Sequence, residues 1–346
     1  MYSFRNDYSE GAHPRILNAL ASTNLEQADG YGEDSFSLEA ASLIRQQVGR
    51  ADIDIHFLAG GSQTNLTALS AFLRPHEAAI AACTGHVLVH ETGAIEATGH
   101  KILSLETNDG KIAPAHIQTV LDSHTDEHMV KPRLVYISNP TEIGTIYTRA
   151  ELEQLSEYCR HHDLYLYIDG ARLGSALCAR ESGLCLADLG RLADSFYIGG
   201  TKGGALLGEA LVICTESLKQ DFRFHMKQKG ALLAKGRILG LQFRELFRDN
   251  LYFQLAEHAN DMAAMLRQAI QAAGFDFLTQ SPTNQIFPIL PHWLIKKLQQ
   301  KYAFYIWSVI DSEHSSIRLV TSWATPIEAV QGFIADMRQY LAERTV

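Results

Sequence analysis

Short apolar runs alternate with amphipathic stretches between residues 53 and 214, and this alternation restricts the fold more than any other feature. The apolar runs have the length and composition of buried strands, and the stretches between them have helical periodicity. The runs occupy residues 53–59, 78–82, 133–138, 164–169, 195–200 and 210–214. Repeated strand–helix–strand units predict an α/β fold, in which helices cover both faces of a mostly parallel sheet.

The helical stretches and the C-terminal part predict two domains. Residues 62–73 and 148–162 have helical patterns, and Thr148 followed three positions later by Glu151 is a capping-box signature. After about residue 230, long helical stretches lead into a tail with the order strand, helix, strand, strand, helix. We therefore predict a large α/β domain over residues 1–245, including the N-terminal segment, and a smaller α+β domain over residues 246–346.

Charge and cysteine content restrict the partners and the compartment. The net charge is −9 without a Lys/Arg-rich run, which disfavours nucleic acid and anionic membranes as partners. No apolar stretch approaches the ~20 residues that span a bilayer, and the N-terminus lacks the features of a signal peptide. The five cysteines are scattered, which is typical of reduced thiols. We expect a cytoplasmic protein with a small-molecule partner.

One lysine lies between two predicted strands, in the segment "SFYIGGTKGGALLGEALVI" at residues 195–213. Glycines flank Lys202 on both sides and leave open space around it. The alternatives are an ordinary surface-loop lysine and a lysine in a cleft at the carboxyl edge of the sheet. In such a cleft, desolvation lowers the pKa of the amine and lets it attack a carbonyl. The flanking strands and glycines favour the second interpretation, with room for an aldehyde cofactor.

Two other strand ends carry polar residues suited to a ligand. The run "HFLAGGSQTN" passes from a strand through a glycine pair to Gly61 and Ser62 at a predicted helix start. Such a turn either binds a phosphate through free N–H groups or is a tight turn capped by serine. Asp169 ends a very apolar strand, where a carboxylate needs a cationic partner. The carboxylate is satisfied either by Arg172 and nearby backbone or by a protonated ring nitrogen of a ligand.

A histidine follows the apolar run 78–82. His86 is either a hydrogen-bonded structural residue or part of the same site. His86 and His90 are four positions apart, but no third ligand has metal-like spacing, so we predict no metal site. The chain also lacks a P-loop and the GxGxxG fingerprint, which disfavours a dinucleotide-dependent dehydrogenase.

A phosphate turn, an imidazole, a carboxylate and a lysine thus follow one another along a single predicted sheet. Together with "FRNDYSEGAHPRIL", "YGEDSF", "IDGARL" and "RLVTSW", they make the chain resemble fold-type-I pyridoxal-phosphate (PLP) enzymes. More narrowly, it resembles the threonine aldolase branch of the β-eliminating lyase group. The resemblance extends over essentially the whole chain. It implies the PLP-dependent transferase-like fold and pyridoxal 5'-phosphate as the cofactor.

The resemblance also implies roles for individual residues. Lys202 would be the Schiff-base lysine, Asp169 would pair with the pyridinium nitrogen, and His86 would lie on the ring face near the substrate hydroxyl. His86 is also the first candidate for the proton transfer. The phosphate would be held by Gly61, Ser62 and Thr201. The amino-acid substrate would contact Arg172 and Arg318 through its α-carboxylate, with Tyr31, Asn6 and Glu142 also lining the site.

Three positions depart from the family pattern. Glu142, in "SNPTEIGTIY", stands where the family is expected to have a histidine that contacts the substrate's β-substituent. It could act as a base or select a different side chain. Asn6 stands where serine is usual. The segment 227–237 offers Lys229, Lys235 and a displaced Arg237 in place of the family's phosphate-binding arginine.

The leading hypothesis is a PLP-dependent lyase that cleaves a β-hydroxy-α-amino acid of the threonine or allo-threonine type to glycine and an aldehyde. Glu142 keeps open other PLP reactions, namely β-elimination, racemisation and transamination. A non-catalytic binding protein with the same fold is a third hypothesis, which the presence of both Lys202 and Asp169 disfavours. The resemblance further implies a homodimer or tetramer with shared active sites, in which Tyr31 reaches the site of a neighbouring subunit.

Overall fold

The computed structural model describes residues 1–345, so Val346, the last residue of the predicted small domain, lies outside the described residues. The strands, in chain order, are β1 (Tyr2–Ser3), β2 (Asp54–Leu58), β3 (Glu77–Ala82), β4 (Ile102–Leu105), β5 (Lys131–Ser138), β6 (Tyr165–Asp169), β7 (Ser195–Gly199), β8 (Glu209–Ile213), β9 (Gln285–Ile286), β10 (Ile289–Pro291), β11 (Tyr302–Ala303), β12 (Tyr305–Val309) and β13 (His314–Val320).

The helices alternate with the central strands and then dominate the C-terminal part. They are α1 (Pro14–Ser22), α2 (Ser35–Val48), α3 (Gly61–Phe72), α4 (His86–Val89), α5 (Pro114–Ser123), α6 (Arg149–His161), α7 (Leu173–Leu177), α8 (Leu186–Leu192), α9 (Phe222–Gln228), α10 (Arg237–Phe247), α11 (Leu251–Ala272), α12 (His292–Leu298) and α13 (Ile327–Thr345). Short 3₁₀ helices cover Glu96–Thr98, Glu216–Leu218 and Arg248–Asn250. Within residues 1–345, none of these helices combines the length and apolarity that crossing a bilayer requires.

The central sheet has the strand order β2-β8-β7-β6-β5-β3-β4. Strand β8 is antiparallel to both of its neighbours, and the other pairings are parallel. All six strands predicted for this region are present, which confirms the mostly parallel α/β sheet. The additional strand, β4, lies at one edge.

Apolar side chains cover both faces of the sheet. Along β6, Leu166 and Ile168 pack into the core on one face, whereas Tyr167 between them packs into the core on the other face. This alternation is the period of two that a strand imposes. Because the middle strands are buried on both sides, polar groups gather at their carboxyl ends, where the sheet opens to a cleft.

A second, smaller antiparallel sheet lies in the C-terminal part of the chain. Strand β13 pairs with β10, β12 and β9, and its buried side chains share a core with α11, α12 and α13. Strand β1 pairs with β11, and Phe4 just after it is buried in the same C-terminal core. The N-terminal segment therefore packs against the C-terminal part. The domain boundary at residues 245 and 246 stays a prediction.

Candidate active site

The carboxyl ends of four neighbouring strands bring together the side chains that the sequence pattern selected. Asp169 ends β6, and Lys202 lies in the loop 200–208 after β7. His86 begins α4 after β3, and Glu142 follows β5. Since β3, β5, β6 and β7 run in the same direction, these loops all open at one edge of the sheet.

Asp169 is buried at the floor of this site and is surrounded by hydrogen-bond donors. The hydroxyl groups of Tyr136 and Tyr197 donate to its two carboxylate oxygens over 2.5 Å each. The side-chain amide of Asn65 and the backbone N–H of Ala171 donate over 2.9 and 3.1 Å. Four donors stabilise the ionised carboxylate. Arg172 donates elsewhere, so it is not the partner of Asp169.

The imidazole of His86 lies beside this carboxylate. Its Nδ1 is 2.8 Å from Oε1 of Glu91, which is buried and also accepts from Asn65 over 2.7 Å. One ligand-type atom from each of His86, Glu91 and Asp169 lies within 4.8 Å of the others. The hydrogen bonds to Asn65 and the tyrosines account for this cluster as a polar network.

For both Asp169 and His86, burial shifts the pKa in one direction, and neighbouring charges and hydrogen bonds shift it in the other. Burial raises the pKa of Asp169, but the charge of His86 and the donated hydrogen bonds outweigh burial and bring this pKa below its ordinary value. Burial lowers the pKa of His86, but the hydrogen bond to Glu91 and the charge of Asp169 raise it above its ordinary value. The pair therefore favours an ionised carboxylate next to a protonated imidazole.

The amine of Lys202 is unengaged. Within residues 1–345 it forms no hydrogen bond or ion pair, and it shares a small cavity with Asp7 and Arg172. Burial and the positive charge of Arg172 lower its pKa, and the acidic groups Asp7, Asp169 and Glu209 oppose this shift only in part. A neutral, unbonded amine is the form that attacks a carbonyl.

The loop of Lys202 is held at its base by a buried acid. Glu209, the first residue of β8, accepts from the backbone N–H of Gly200 over 3.0 Å and from the hydroxyl of Thr201 over 2.9 Å. The same hydroxyl accepts from the N–H of Gly208 over 3.0 Å. Burial raises the pKa of Glu209. Because its hydroxyl is engaged inside the loop, Thr201 as a phosphate ligand stays a prediction.

The turn after β2 has the geometry of an anion site. Helix α3 begins at Gly61, and no side chain caps its first turn, so Ser62 does not act as the cap. A side chain at Gly60 would meet open space, whereas a Cβ at Gly61 would lie 3.1 Å from the hydroxyl oxygen of Tyr197. Uncapped N–H groups at the start of a 12-residue helix suit a phosphate.

One of the two predicted carboxylate-binding arginines has a partner in the chain. Arg172 donates to Asp7 in bidentate fashion, from Nε over 2.6 Å and from Nη2 over 3.0 Å. Asp7 is buried and also accepts from the amide of Asn284 over 2.9 Å. Nη1 of Arg172 and the second N–H of Nη2 are left for a substrate.

The second arginine has an unused donor. The guanidinium of Arg318 lies 5.5 Å from the ring centre of Tyr305 and 5.1 Å from that of Trp307. Its Nε is buried without a partner among the described residues. Burial and the charge of Arg172 lower the pKa of Arg318. Asp7 pairs with Arg172 and not with Arg318, so the guanidinium of Arg318 can pair with an exogenous carboxylate.

Asn6 and Glu142 lie at the rim. The side-chain oxygen of Asn6 accepts from the N–H of Tyr8 over 3.1 Å and from the hydroxyl of Ser9 over 2.9 Å. Oε1 of Glu142 accepts from the backbone N–H of His86 over 3.0 Å. Glu142 therefore contacts the backbone of His86 at the start of α4.

Tyr31 lies outside this group. It has a positive φ of 61°, and the amine of Lys227 lies 4.8 Å from its ring centre. Its carbonyl oxygen accepts from Arg223 over 3.4 Å. Tyr31 is 44% exposed. Its backbone N–H donates to the carbonyl of Ala234, in the segment that leads to α10, and none of its contacts among the described residues is to Asp169 or Lys202.

The basic residues of segment 227–237 point in different directions. The carbonyl of Lys229 accepts from Gln63 in the first turn of α3 over 3.4 Å. Arg237 donates to two backbone carbonyls of the N-terminal loop, and Lys235 is exposed. Of the three, Lys229 is the one whose backbone contacts the anion site.

Sequence reasoning missed three acids that shape this site: Asp7, Glu91 and Glu209. Asp7 has its partner in a distant segment, and the spacing of Glu91 from His86 and of Glu209 from Thr201 follows no pattern that indicates a contact. The one available signal was the position of Glu209, a carboxylate at the start of an otherwise apolar strand, seven residues after Lys202.

The sheet topology, with an unengaged lysine and a buried carboxylate at the carboxyl ends of its strands, defines a fold-type-I PLP enzyme. An aspartate aminotransferase from Thermus thermophilus shares the fold with a TM-score of 0.72 at 14% identity, over 98% of this chain and 91% of that chain. The sequence matches the beta-eliminating lyase family over residues 4–291. The chain belongs to this family.

Relatives within the family are threonine aldolases. A low-specificity L-threonine aldolase from Pseudomonas aeruginosa is 32% identical over 97% of this chain and 96% of its own length. A solved structure of a threonine aldolase from Leishmania major superposes with a TM-score of 0.97 at 48% identity, covering 98% of this chain and 99% of that chain.

The residues present fit pyridoxal phosphate. The uncapped first turn of α3 suits its phosphate, and the ionised carboxylate of Asp169 suits a protonated ring nitrogen. The amine of Lys202 has no competing partner within the described residues. These three features match the phosphate, the ring nitrogen and the aldehyde of the cofactor.

Proposed function

We propose that this protein cleaves a β-hydroxy-α-amino acid of the threonine or allo-threonine type to glycine and an aldehyde, with pyridoxal phosphate as its cofactor. The observation that carries the proposal is the unengaged amine of Lys202 in the same cleft as the buried, ionised Asp169. The threonine aldolases among the relatives support the choice of substrate. The alternatives of elimination, racemisation and transamination have no comparable support.

The cofactor, when bound, supplies a ring that accepts the electron pair of the breaking bond. Lys202 holds its aldehyde carbon, and Asp169 keeps the ring nitrogen protonated. His86 covers the face of the ring. The first turn of α3, at Gly61 and Ser62, binds the phosphate. Thr201 contributes only if its hydroxyl turns away from Glu209.

The substrate's α-carboxylate binds between the two arginines. The donors include Nη1 and the second N–H of Nη2 of Arg172, and Nε of Arg318. Nη2 of Arg318 donates to the carbonyl of Arg5 over 3.3 Å. The amide nitrogen of Asn6 adds a third donor, in place of the usual serine. Fixing the carboxylate orients the Cα–Cβ bond relative to the ring, which selects the bond that breaks. Glu142 lies on the side of the β-substituent.

We further propose a cytoplasmic homodimer or tetramer with shared sites. Tyr31 is exposed and lies away from its own Lys202, consistent with a role in the site of a neighbouring subunit. The five cysteines are free thiols, a state typical of reducing compartments. Analytical ultracentrifugation of the purified protein measures the assembly directly.

The proposed function predicts that the purified protein, supplied with pyridoxal phosphate, converts allo-threonine to glycine and acetaldehyde in equal amounts. Glycine is measured by amino-acid analysis and acetaldehyde by its reduction in a coupled assay. Borohydride treatment followed by peptide mass analysis should place the cofactor on Lys202. The Lys202→Ala variant should lack both the label and turnover, because no other unengaged amine faces Asp169 in the part of the chain that the structure describes.

Other products would change the conclusion. Pyruvate or 2-oxobutyrate with ammonia would identify an elimination, and a keto acid formed without ammonia would identify a transamination. Near-normal cleavage by Lys202→Ala would refute the role of this lysine, and a protein that never acquires the label would refute the function.

A further inference from the structure

Cleavage of a β-hydroxy amino acid requires a group that takes the proton of the β-hydroxyl, and His86 and Glu142 both lie close enough to be considered. The environment of His86 argues against it. Its Nδ1 is engaged by Glu91 over 2.8 Å. The acids Glu91 and Asp169 raise its pKa against the effect of burial, which otherwise lowers it. A larger fraction of His86 is therefore already protonated at neutral pH than of a free histidine, and a protonated imidazole accepts no proton.

The carboxylate of Glu142 receives its hydrogen bonds from other residues at one oxygen. Its Oε1 accepts two hydrogen bonds, from the hydroxyl of Ser138 over 2.6 Å and from the backbone N–H of His86 over 3.0 Å. The backbone N–H of Glu142 also donates to its own carboxylate, and among residues 1–345 no other residue donates to Oε2. A carboxylate that is fixed in place through one oxygen, with no donor from another residue at the second, suits a substrate hydroxyl.

The surroundings of Glu142 also make it a better base than an ordinary carboxylate. Burial raises its pKa, the hydrogen bond from Ser138 lowers it, and the charge of Asp169 raises it again, so that its pKa lies above the ordinary value for glutamate. A raised pKa increases the affinity of the carboxylate for a proton.

We propose that Glu142 is the catalytic residue that accepts the β-hydroxyl proton, through Oε2. The inference rests on the proposed function. The O–H bond breaks and its proton binds Oε2, while the oxygen keeps the electron pair and forms the C=O bond of the aldehyde. The Cα–Cβ bond breaks and leaves its electron pair on Cα. Cα then gains one proton from solvent and Glu142 releases its proton to solvent, so the products are glycine and the aldehyde with all atoms balanced.

The test compares threonine cleavage, which needs the β-hydroxyl, with exchange of the α-hydrogen of glycine, which does not. Glycine has no β-carbon, yet exchange of its α-hydrogen with D₂O, followed by NMR, uses the same cofactor, lysine and carboxylate site. Glu142→Gln keeps an oxygen that can accept from His86 and Ser138 but cannot take up a proton. We expect it to lower kcat for threonine cleavage by about 100-fold or more, and glycine exchange by less than about threefold.

A His86→Gln variant is the matched comparison. Because His86 would cover the ring of the bound cofactor and its charge acts on Asp169, we expect its loss to lower cleavage and glycine exchange by similar factors. A spectral titration with glycine, performed on both variants, reports amino-acid binding separately from turnover. Glu142→Gln should bind glycine with nearly the wild-type dissociation constant.

Every other outcome would contradict either the role of Glu142 or the proposed function. Equal losses of cleavage and exchange in Glu142→Gln would show that Glu142 acts through the fold, and a selective loss of cleavage in His86→Gln would assign the proton to His86. Either result overturns the proposal. A wild-type protein that exchanges glycine but forms no aldehyde from any β-hydroxy amino acid would instead refute the proposed function.

Discussion

Glu91 determines the state of His86 at the level of single residues. It accepts from the imidazole with one oxygen, and its other oxygen is buried without a partner within the described residues. The charge it retains therefore acts on His86 over a short distance and through little solvent. This contact makes His86 a donor toward Glu91 and fixes the orientation of the ring.

Replacing Glu91 by Gln should lower the pKa of His86. The wild-type pKa is raised, so protonation of His86 stabilises the fold below the ordinary histidine pKa, and this contribution is lost as pH rises through the folded-state value. The variant loses the acceptor charge, while desolvation, which lowers the pKa, stays. NMR titration of the histidine ring signals in the protein without cofactor measures the shift.

His225 provides an internal control for that titration. Its pKa is below the ordinary value because of burial and the charge of Lys229, and Glu91 takes no part in this. The His225 titration should be the same in both proteins. An unchanged His86 titration in Glu91→Gln would mean that Asp169 alone maintains the raised pKa.

The residues of the site could be selected from the sequence, but the ion pairs and hydrogen bonds among them could not be predicted from it. Lys202, Asp169, His86 and Glu142 were selected because each follows a predicted strand, and parallel strands bring their ends together. The partner of Arg172 could not be found in this way. Asp7 is 165 residues away, in a polar N-terminal segment where an acidic residue carries no pattern. Such contacts depend on how distant segments pack.

At the level of secondary structure, the N-terminus of α6 is a capping box. The backbone N–H of Thr148 donates to the carboxylate of Glu151 over 2.8 Å, and the backbone N–H of Glu151 donates to the hydroxyl of Thr148 over 3.3 Å. Thr148→Ala should destabilise the protein by about 1 kcal/mol and leave turnover unchanged, because α6 lies away from the cleft. Urea unfolding and the allo-threonine assay measure the two effects.

Thr119→Ala is the matched control for this prediction. Thr119 lies inside α5, is exposed, and donates only to the carbonyl of His116 in the same helix. Alanine has the higher helix propensity, so this change should be neutral or slightly stabilising. If the two variants lost the same stability, the cap would contribute nothing specific.

The parts of the fold that depend on local sequence patterns could be predicted. Periodicity located six central strands, and the capping box located the start of α6. The loop 200–208 is shorter than the dozen or so residues that a parallel crossover needs, which explains why β8 is antiparallel. Strand β4 was missed because it has four residues, one of them exposed. The pairing of β1 with β11 joins Tyr2 to Tyr302, and no local pattern reports a contact of that range.

At the scale of the whole molecule, Asp7 joins three parts of the chain. It lies just after β1, and its carboxylate binds Arg172 after β6 and Asn284 before β9. Burial raises the pKa of Asp7, but the charges of Arg172 and Lys202 and the hydrogen bonds from Arg172 and Asn284 together outweigh burial and lower this pKa. The N-terminal segment, the central sheet and the C-terminal sheet thus meet at one buried ion pair beneath Lys202.

Asp7→Asn should destabilise the protein by on the order of 3 kcal/mol at neutral pH, because it leaves the charge of Arg172 buried without its partner. Since the pKa of Asp7 is lowered on folding, its contribution is present above the ordinary aspartate pKa and is lost as pH falls through the lowered value. The stability difference between the two proteins, measured by urea unfolding, should therefore shrink in acid.

Glu153→Gln, which removes an exposed ion pair with Arg191, should change stability little at either pH. A difference for Asp7→Asn that does not depend on pH would mean that the side chain contributes through shape and hydrogen bonding and not through its charge.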